Sequence, residues 1–113
     1  MNLLKITVQL MSEKTKKVAL VTGGSRGIGK AICERLGRDE VHVLINYRSN
    51  SAAAEETLEN IKKNGGSGEL LPFDVADSKA IEKALTAWHE KNRDDYISLL
   101  VNNAGITKDS MLM

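Results

Sequence analysis

Cysteine, proline and aromatic residues are scarce in this chain, and their scarcity limits what the protein can be. The 113 residues include one cysteine and one proline, and aromatic side chains make up 4% of them. Cys33 cannot form a disulfide within the chain, and because it falls in a helical pattern it is predicted to be a small buried hydrophobe. A disulfide framework is therefore excluded, and a reducing, cytoplasmic location is expected.

The chain also lacks an excess of either charge and any long hydrophobic run. Lys and Arg number 16 against 15 Asp and Glu, so there is no basic field to attract nucleic acid or an acidic membrane surface. No run approaches the roughly 18 apolar residues of a membrane span, and residues 1–10 are too short and too interrupted for a signal peptide. We expect no nucleic-acid and no membrane partner, and small-molecule chemistry is the better hypothesis.

Metal-ligand patterns are missing as well. His42 lies in a predicted strand and His89 on a predicted helix, and neither has a second ligand at metal-binding spacing. Both are interpreted as structural or solvated residues, so no metal site is predicted.

The sequence does contain a regular alternation of apolar strands and amphipathic helices. Apolar runs at residues 17–22, 41–47, 68–73 and 97–102 predict strands. The length, with 42% hydrophobic residues, suits one ordinary domain. The pattern predicts an α/β fold of the Rossmann-like, doubly wound type. Residues 1–15 precede this pattern and would form an extension that is either an extra strand or disordered.

Each predicted helix presents one apolar stripe to the sheet. The stripes are Ile28, Ile32 and Leu36; Ala54, Leu58 and Ile61; and Ile81, Leu85 and Trp88. The expected helix boundaries are an N-cap at Asn50 or Ser51 and an end at Gly65 for the second helix, and an N-cap at Asp77 or Ser78 for the third.

Connection rules and one proline predict the strand order. Right-handed crossovers favour a sheet truncated to about four parallel strands in the order 3-2-1-4. Pro72 has no amide donor, which places the third strand at an edge. The fourth strand carries Leu99, Leu100 and Val101 in succession, so it is predicted to be central and to need neighbours on both sides.

An uncovered fourth strand would favour self-association. Its outer edge would present unpaired backbone groups beside apolar surface, so we expect a homo-oligomer. The covering element would be the fourth strand of another copy or residues 1–10, where Leu4, Ile6, Val8 and Leu10 alternate with polar residues. A disordered leader is the alternative for residues 1–10.

The strongest local signal is a glycine-rich loop between the first strand and the first helix. Its sequence is Thr22-Gly23-Gly24-Ser25-Arg26-Gly27-Ile28-Gly29. Glycines permit a tight turn and close approach to a pyrophosphate, and the free amides and dipole of the helix start attract an anion. A plain glycine-rich turn is the alternative, and the strand-turn-helix context argues against it.

The end of the second strand distinguishes between cofactors. NAD sites usually place an acidic residue there for the ribose 2′-hydroxyl, whereas a 2′-phosphate requires a cation. The sequence Asn46-Tyr47-Arg48-Ser49 has no carboxylate, and Arg48 together with Arg26 supplies guanidinium groups suited to phosphate. This predicts NADP(H) as the cofactor and argues against a methyltransferase that uses S-adenosylmethionine. Two solvated surface arginines are the alternative.

Together these motifs resemble the short-chain dehydrogenase/reductases. The T-G-x-x-x-G-x-G loop is followed by Asp74-Val75 after the third strand and by Asn102-Asn103-Ala104-Gly105 after the fourth, in the order and spacing of that family. Residues 21–30 and 100–113 are similar to bacterial 3-oxoacyl-[acyl-carrier-protein] reductases. The resemblance covers residues 16–113 and implies that they form the N-terminal half of a dinucleotide-binding domain.

The resemblance implies a set of cofactor-binding residues. They are Gly23, Gly24, Ser25, Arg26, Gly27, Ile28 and Gly29 of the loop, with Tyr47, Arg48, Ser49, Asp74, Val75, Asn103, Ala104 and Gly105. The loop would hold the pyrophosphate, the two arginines the 2′-phosphate, Asp74 and Val75 the adenine, and the last three residues the adenosine ribose and nicotinamide side. Asn102 would brace the sheet.

The resemblance also implies a reaction. The complete enzyme would reduce 3-oxoacyl-[acyl-carrier-protein] to the 3-hydroxyacyl form in fatty-acid synthesis, with the carrier-linked substrate as its partner. A non-catalytic dinucleotide-binding or partner-binding module that ends at Met113 is the alternative.

Two departures from the family pattern affect these expectations. Glu40 holds a place before the second strand where a glycine is common, so a slightly different helix exit is expected. The family's Asn, Ser, Tyr and Lys catalytic group would lie C-terminal to this chain. Tyr47 and Tyr96 have no lysine four residues later to lower their pKa. No catalytic residue is predicted here, and the 113 residues alone are expected to be inactive.

Overall fold

Four apolar strands form the centre of the fold. In the computed structural model, which describes residues 16–103, they are β1 (Val18–Thr22), β2 (His42–Tyr47), β3 (Gly68–Pro72) and β4 (Ile97–Asn102). All pairs are parallel and the order is β3-β2-β1-β4. The predicted α/β class, the Rossmann-like sheet and the 3-2-1-4 order are confirmed, and Pro72 lies in an edge strand as expected.

Three helices cover the two faces of this sheet. They are α1 (Gly27–Arg38), α2 (Ser51–Lys63) and α3 (Ser78–Lys91). Cys33 of α1 and Ile61 of α2 are buried in one core cluster with β1 and β2, whereas Trp88 of α3 is buried with Phe73 in a second cluster. The sheet is therefore the middle of three layers.

Side-chain caps fix the starts of two helices. The Asn50 side chain accepts a hydrogen bond from the Ala53 amide at 3.1 Å. The Asp77 carboxylate accepts bonds from two amides in the first turn of α3. Both caps agree with the sequence prediction, because an Asn or Asp oxygen satisfies amides that have no partner within the helix.

The C-termini of α1 and α2 share one motif with different residues. In α2 the amides of Gly65 and Gly66 donate back to Lys62 and Ile61, and Gly65 has a φ of 82°. This is the Schellman arrangement, which needs a left-handed residue after the C-cap. The predicted helix end at Gly65 is confirmed.

The same motif ends α1 at a residue that is not glycine. Glu40 donates to the carbonyl of Gly37, Val41 donates to that of Leu36, and Glu40 has a φ of 66°. The expectation of a different helix exit is wrong, since Glu40 adopts the left-handed conformation that a glycine would take.

The face that α1 turns to the sheet also differs from the prediction. Ile28 was predicted to face inward, but it is 73% exposed. The buried residues of α1 are Gly29, Cys33 and Gly37. The sequence pattern favoured large apolar residues, whereas the close contact between α1 and its neighbours selects small ones: a Cβ atom on Gly37 would lie 2.9 Å from the Ile61 side chain.

β4 forms an edge of the described sheet, as the predicted 3-2-1-4 order requires. Leu99 and Leu100 are 43% and 61% exposed, so the second neighbour that this apolar strand was predicted to need is not among residues 16–103. Within residues 16–103 only β1 pairs with it. The predictions for residues 1–15, Ala104 and Gly105 concern residues outside the described range.

His42 joins neighbouring strands at the opposite end of the sheet from the glycine loop. Its ring nitrogens lie 2.8 Å from the Ser67 hydroxyl and 2.9 Å from a Glu69 carboxylate oxygen. These contacts connect β2 to β3 and the turn before it, which is the structural role expected for His42.

Candidate functional site

The glycine loop connects the carboxyl end of β1 to the start of α1. Gly23 and Gly27 have φ values of 65° and 62°, a left-handed conformation that favours glycine. The N-cap residue Arg26 has extended backbone, and its side chain makes no capping hydrogen bond. The first amides of α1 are therefore not satisfied by this cap, and the helix start is suited to an anion.

A second constraint on the loop is close backbone packing. A Cβ atom on Gly29 would overlap the carbonyl oxygen of Gly23 and would lie 2.8 Å from the Asn103 side-chain nitrogen. That nitrogen donates a hydrogen bond to the Gly23 carbonyl at 3.3 Å. The loop is thus pressed between α1 and the residue that follows β4, and a larger residue at position 29 would displace it.

A buried asparagine holds the loop from β2. The Gly23 amide donates to the Asn46 side-chain oxygen at 3.4 Å, and the Gly24 amide donates to the Asn46 main-chain oxygen at 2.9 Å. Asn46 is only 2% exposed. From the sequence, Asn46 was recognised only as part of the strand terminus. The signal for its role is an amide side chain at the end of an otherwise apolar strand.

Two hydroxyl groups complete the support of the loop. The buried Thr57 of α2 donates to the Ser25 carbonyl at 3.2 Å. The Thr22 hydroxyl lies 3.3 Å from the Asn102 side-chain oxygen, which links β1 to β4 and supports the bracing role predicted for Asn102. Thr57 was missed by sequence reasoning, although a polar residue on the buried face of α2 was its signal.

The ends of β2 and β3 bring together two residues that were assigned to different parts of the cofactor. Arg48 follows β2, and its Nε lies 3.5 Å from Oδ2 of Asp74, which follows β3. The Arg48 side chain is 78% exposed, so this ion pair is weak and the guanidinium remains accessible. Arg26 is exposed at the other side of the loop.

The described site residues lie at the carboxyl ends of the four parallel strands. The glycine loop follows β1; Tyr47, Arg48 and Ser49 end or follow β2; Asp74 and Val75 follow β3; and Asn103 follows β4. Open α/β sheets bind their ligands at this edge. A tight loop, an uncapped helix start and two accessible guanidinium groups are suited to an extended nucleotide with several phosphates.

The thiol beneath the loop is not a nucleophile. A Cβ atom on Gly24 would lie 2.8 Å from the Cys33 sulfur. Burial, with a smaller contribution from the Glu34 carboxylate, raises the pKa of the Cys33 thiol to about 12. Cys33 therefore stays protonated and fills space under the loop, as its predicted role requires.

The part of the chain that the structure describes has two further negative findings. No three of its His, Cys, Asp and Glu side chains are grouped so that they could hold a metal ion. None of its helices has both the length and the apolar character needed to cross a membrane.

Sequence comparison places these motifs among known enzymes. A family model described as short chain dehydrogenase matches residues 17–113. Glucose 1-dehydrogenase 2 of Bacillus subtilis is 41% identical over 96 residues, which are 85% of this chain and 36% of that protein. The 3-oxoacyl-[acyl-carrier-protein] reductase of a Synechocystis species is 39% identical over 103 residues, 91% of this chain and 41% of that protein. The chain thus spans about two fifths of the length of these curated relatives.

A solved structure shares the fold at similar coverage. The angucycline C-6 ketoreductase LanV, with bound NADP, is 36% identical and superposes with a TM-score of 0.70. The match covers 81% of this chain and 37% of LanV.

Proposed function

The chain belongs to the short-chain dehydrogenase family, and from that premise we propose that it forms the NADP(H)-binding portion of a reductase. The observation that carries the proposal is the glycine loop itself. Gly29 leaves no room for a side chain against Gly23, and Asn103 fixes the same carbonyl from β4. This close-packed turn, leading into an uncapped helix start, suits the pyrophosphate of a dinucleotide.

The preference for the phosphorylated cofactor rests on charge. Arg48 stands at the end of β2, where an NAD site would carry an acid, and Arg26 stands in the loop. A planar guanidinium forms paired hydrogen bonds with phosphate. The NADP bound to LanV supports the same choice.

Asp74 lies beside Arg48 at the proposed adenine end of the site. The distance from its carboxylate to the guanidinium is 3.5 Å, and because this exposed ion pair is weak, Arg48 is free to turn toward a phosphate. The cofactor, when bound, supplies hydride chemistry. The described residues bind and orient it.

The substrate class is part of the proposal. We assign 3-oxoacyl-[acyl-carrier-protein] as substrate of the complete enzyme, because residues 100–113 are similar to such reductases and the Synechocystis relative bears that name. The Bacillus subtilis relative is named for glucose, so a sugar dehydrogenase is the second candidate. A protein that joins this chain to a downstream catalytic half should separate them, since reduction of a 3-oxoacyl thioester supports the first and oxidation of glucose the second.

Reduction of a ketone also requires groups that hold and protonate its oxygen, and the two tyrosines do not provide them. A lysine would be needed four residues after the tyrosine, but Ser51 stands four residues after Tyr47 and Leu100 four residues after Tyr96. We propose that the 113 residues alone bind the cofactor without turning it over. Positioned acid catalysis contributes about 10² to 10⁴-fold, so its loss should leave no measurable NADPH oxidation.

An arginine substitution tests the cofactor assignment. Arg48→Ala should weaken NADPH binding about tenfold while leaving NADH binding nearly unchanged, since one charge-assisted bond to phosphate contributes about 1.5 to 3 kcal/mol. Arg38→Ala is the matched control, because Arg38 is also exposed but ends α1 away from the loop. An unchanged ratio of the two affinities in Arg48→Ala would contradict the assignment.

A further inference from the structure

The buried carboxamide of Asn46 lies between two backbone segments on which the proposed cofactor site depends. On one side, Oδ1 accepts from the Gly23 amide at 3.4 Å. On the other side, Nδ2 donates to the carbonyls of Leu71 and Phe73, each at 3.1 Å. One side chain therefore bonds both to the glycine loop and to the end of β3.

The hydrogen bonds of Asn46 require a side-chain amide with the length of asparagine. The side chain is almost fully buried, where an unsatisfied polar atom carries its full desolvation penalty. The three partners need one acceptor and two donors. An aspartate has acceptors only, a leucine has neither, and a glutamine is one methylene longer in a closely packed position.

The two segments joined by Asn46 have different proposed roles. Gly23 belongs to the loop assigned to the pyrophosphate. Phe73 directly precedes Asp74, which is assigned to the adenine and which lies beside Arg48. The Phe73 amide also donates to the Tyr47 carbonyl at 3.2 Å, so the end of β3 is fixed to β2 from both sides.

We propose that Asn46 is a positioning residue that couples the glycine loop to the end of β3, so that a ligand bound at the adenine side orders the pyrophosphate side. The inference rests on the proposed function for the identity of the ligand. It requires no direct contact between Asn46 and the nucleotide.

A nucleotide fragment tests the coupling in solution. Adenosine carries the adenine and its ribose but no phosphate, so it has no group for the glycine loop or for Arg26 within it. In the unmodified, ¹⁵N-labelled chain it should shift the amide resonances of Gly23 and Gly24 as well as those of Asp74 and Val75. In Asn46→Asp the shifts should be confined to Asp74 and Val75, because the substitution retains the acceptor for Gly23 and removes both donors to β3.

The pH dependence of NADP⁺ binding gives a readout that a purely structural role would not change. Asn46→Asp should bind about tenfold more weakly than the unmodified chain near pH 8. Burial beside two carbonyl oxygens should raise the pKa of the introduced carboxyl, and on protonation it regains one donor. The deficit relative to the unmodified chain should therefore shrink as the pH is lowered toward about 5.5. A deficit that is constant with pH would overturn the coupling.

Two measurements separate this inference from the proposed function. Failure of the unmodified chain to bind NADP⁺ would overturn the proposed function. Hydrogen exchange without nucleotide tests the tie itself: the Gly23 amide should stay protected in Asn46→Asp and lose protection in Asn46→Leu, which has no acceptor. Equal Gly23 exchange in the unmodified chain and both variants would overturn the tie. If Asn46→Asp does not fold, Asn46→Ser, which cannot span both segments, should show the same loss of fragment-induced shifts at Gly23, and retention of those shifts would overturn the proposal.

Discussion

Gly29 packs so closely against Gly23 that a Cβ atom on Gly29 would overlap the Gly23 carbonyl oxygen. Gly29→Ala must therefore move the loop or the helix start, and we expect a loss of about 3 kcal/mol in the free energy of unfolding. Nucleotide binding should fall with it, because the loop is the proposed pyrophosphate site. Urea denaturation and NADP⁺ titration measure the two effects.

Gly27→Ala is the matched control for this prediction. Gly27 has a positive φ, but a Cβ atom there would meet nothing within 4 Å. The substitution should introduce left-handed strain of only about 1 kcal/mol. A Gly29→Ala variant as stable as Gly27→Ala would contradict the close packing.

Glu40 holds a left-handed conformation in a helix-ending motif that Gly65 supplies in α2. Glu40→Gly should stabilise the chain by about 1 kcal/mol, because glycine adopts this conformation without a Cβ clash. Thermal denaturation would show a raised Tm. Glu40→Ala should give no comparable gain in stability, and Gly65→Ala should lower the free energy of unfolding by a similar amount. If Glu40→Ala were also stabilising, the charge of the Glu40 side chain, and not its backbone conformation, would be the cause.

The buried thiol predicts a pH dependence of stability. The pKa of Cys33 is raised from 9.0 to about 12 in the folded chain. Between these values the folded state binds the proton more tightly than the unfolded state, so the contribution to stability is complete below about pH 9 and is lost as the pH rises toward about 12. Cys33→Ala, which cannot ionise, should show a smaller decline over this range in urea denaturation. Equal declines would mean that other groups cause the alkaline loss.

The two edges of the sheet differ in how they resist pairing. β3 carries Glu69 and Pro72, which discourage a further strand. β4 has no charged residue and no proline, and Leu100 is exposed beside an apolar cavity of about 250 Å³ against α3. By composition, β4 is suited to being covered and β3 is not.

We propose that a second copy of the chain covers the β4 edge. In an antiparallel pair centred on Leu100, the two Leu100 side chains would meet, Leu99 would face Val101, and Ser98 would face Asn102. Apolar residues thus oppose apolar ones, polar residues oppose polar ones, and no like charges face each other. Sedimentation of the 113-residue chain should show a dimer, and Leu100→Lys should give a monomer.

Ile28→Lys is the control for general hydrophobic association, since Ile28 is also exposed but lies at the glycine loop. It should leave the dimer intact. If the chain is a monomer and dimerises only when residues 1–10 are deleted, residues 1–10 cover the β4 edge. If the chain is a monomer with and without those residues, the proposal is contradicted.

The sequence predicted the parts of the fold that depend on periodicity and on single turn residues. Alternating apolar runs were sufficient for the parallel sheet. Asn50, Asp77 and Gly65 were sufficient for helix boundaries because each acts locally: the Asn50 and Asp77 side chains accept from amides two or three residues ahead, and Gly65 supplies a left-handed backbone. Ile28 was assigned to the wrong side of its helix, because the pattern ranked side chains by size where the packing of α1 requires glycine.

The site was predictable only in part, for a physical reason. The glycine loop is local in sequence, and its strand-turn-helix context identifies it. The bonds that hold it come from Asn46, Thr57 and Asn103, which lie 23, 32 and 80 residues from their partners. Such contacts form only when the sheet is complete, so local sequence patterns do not reveal which polar side chains will form hydrogen bonds with each other.

Titration of the purified chain with NADPH and NADH tests the central claim most directly. Tryptophan fluorescence or calorimetry would give both dissociation constants under one set of conditions. We predict that NADPH binds at least about tenfold more tightly than NADH, as expected for one or more guanidinium contacts to the 2′-phosphate. Equal affinities, or no binding of either nucleotide by a folded chain, would contradict the assignment of this site to NADP(H).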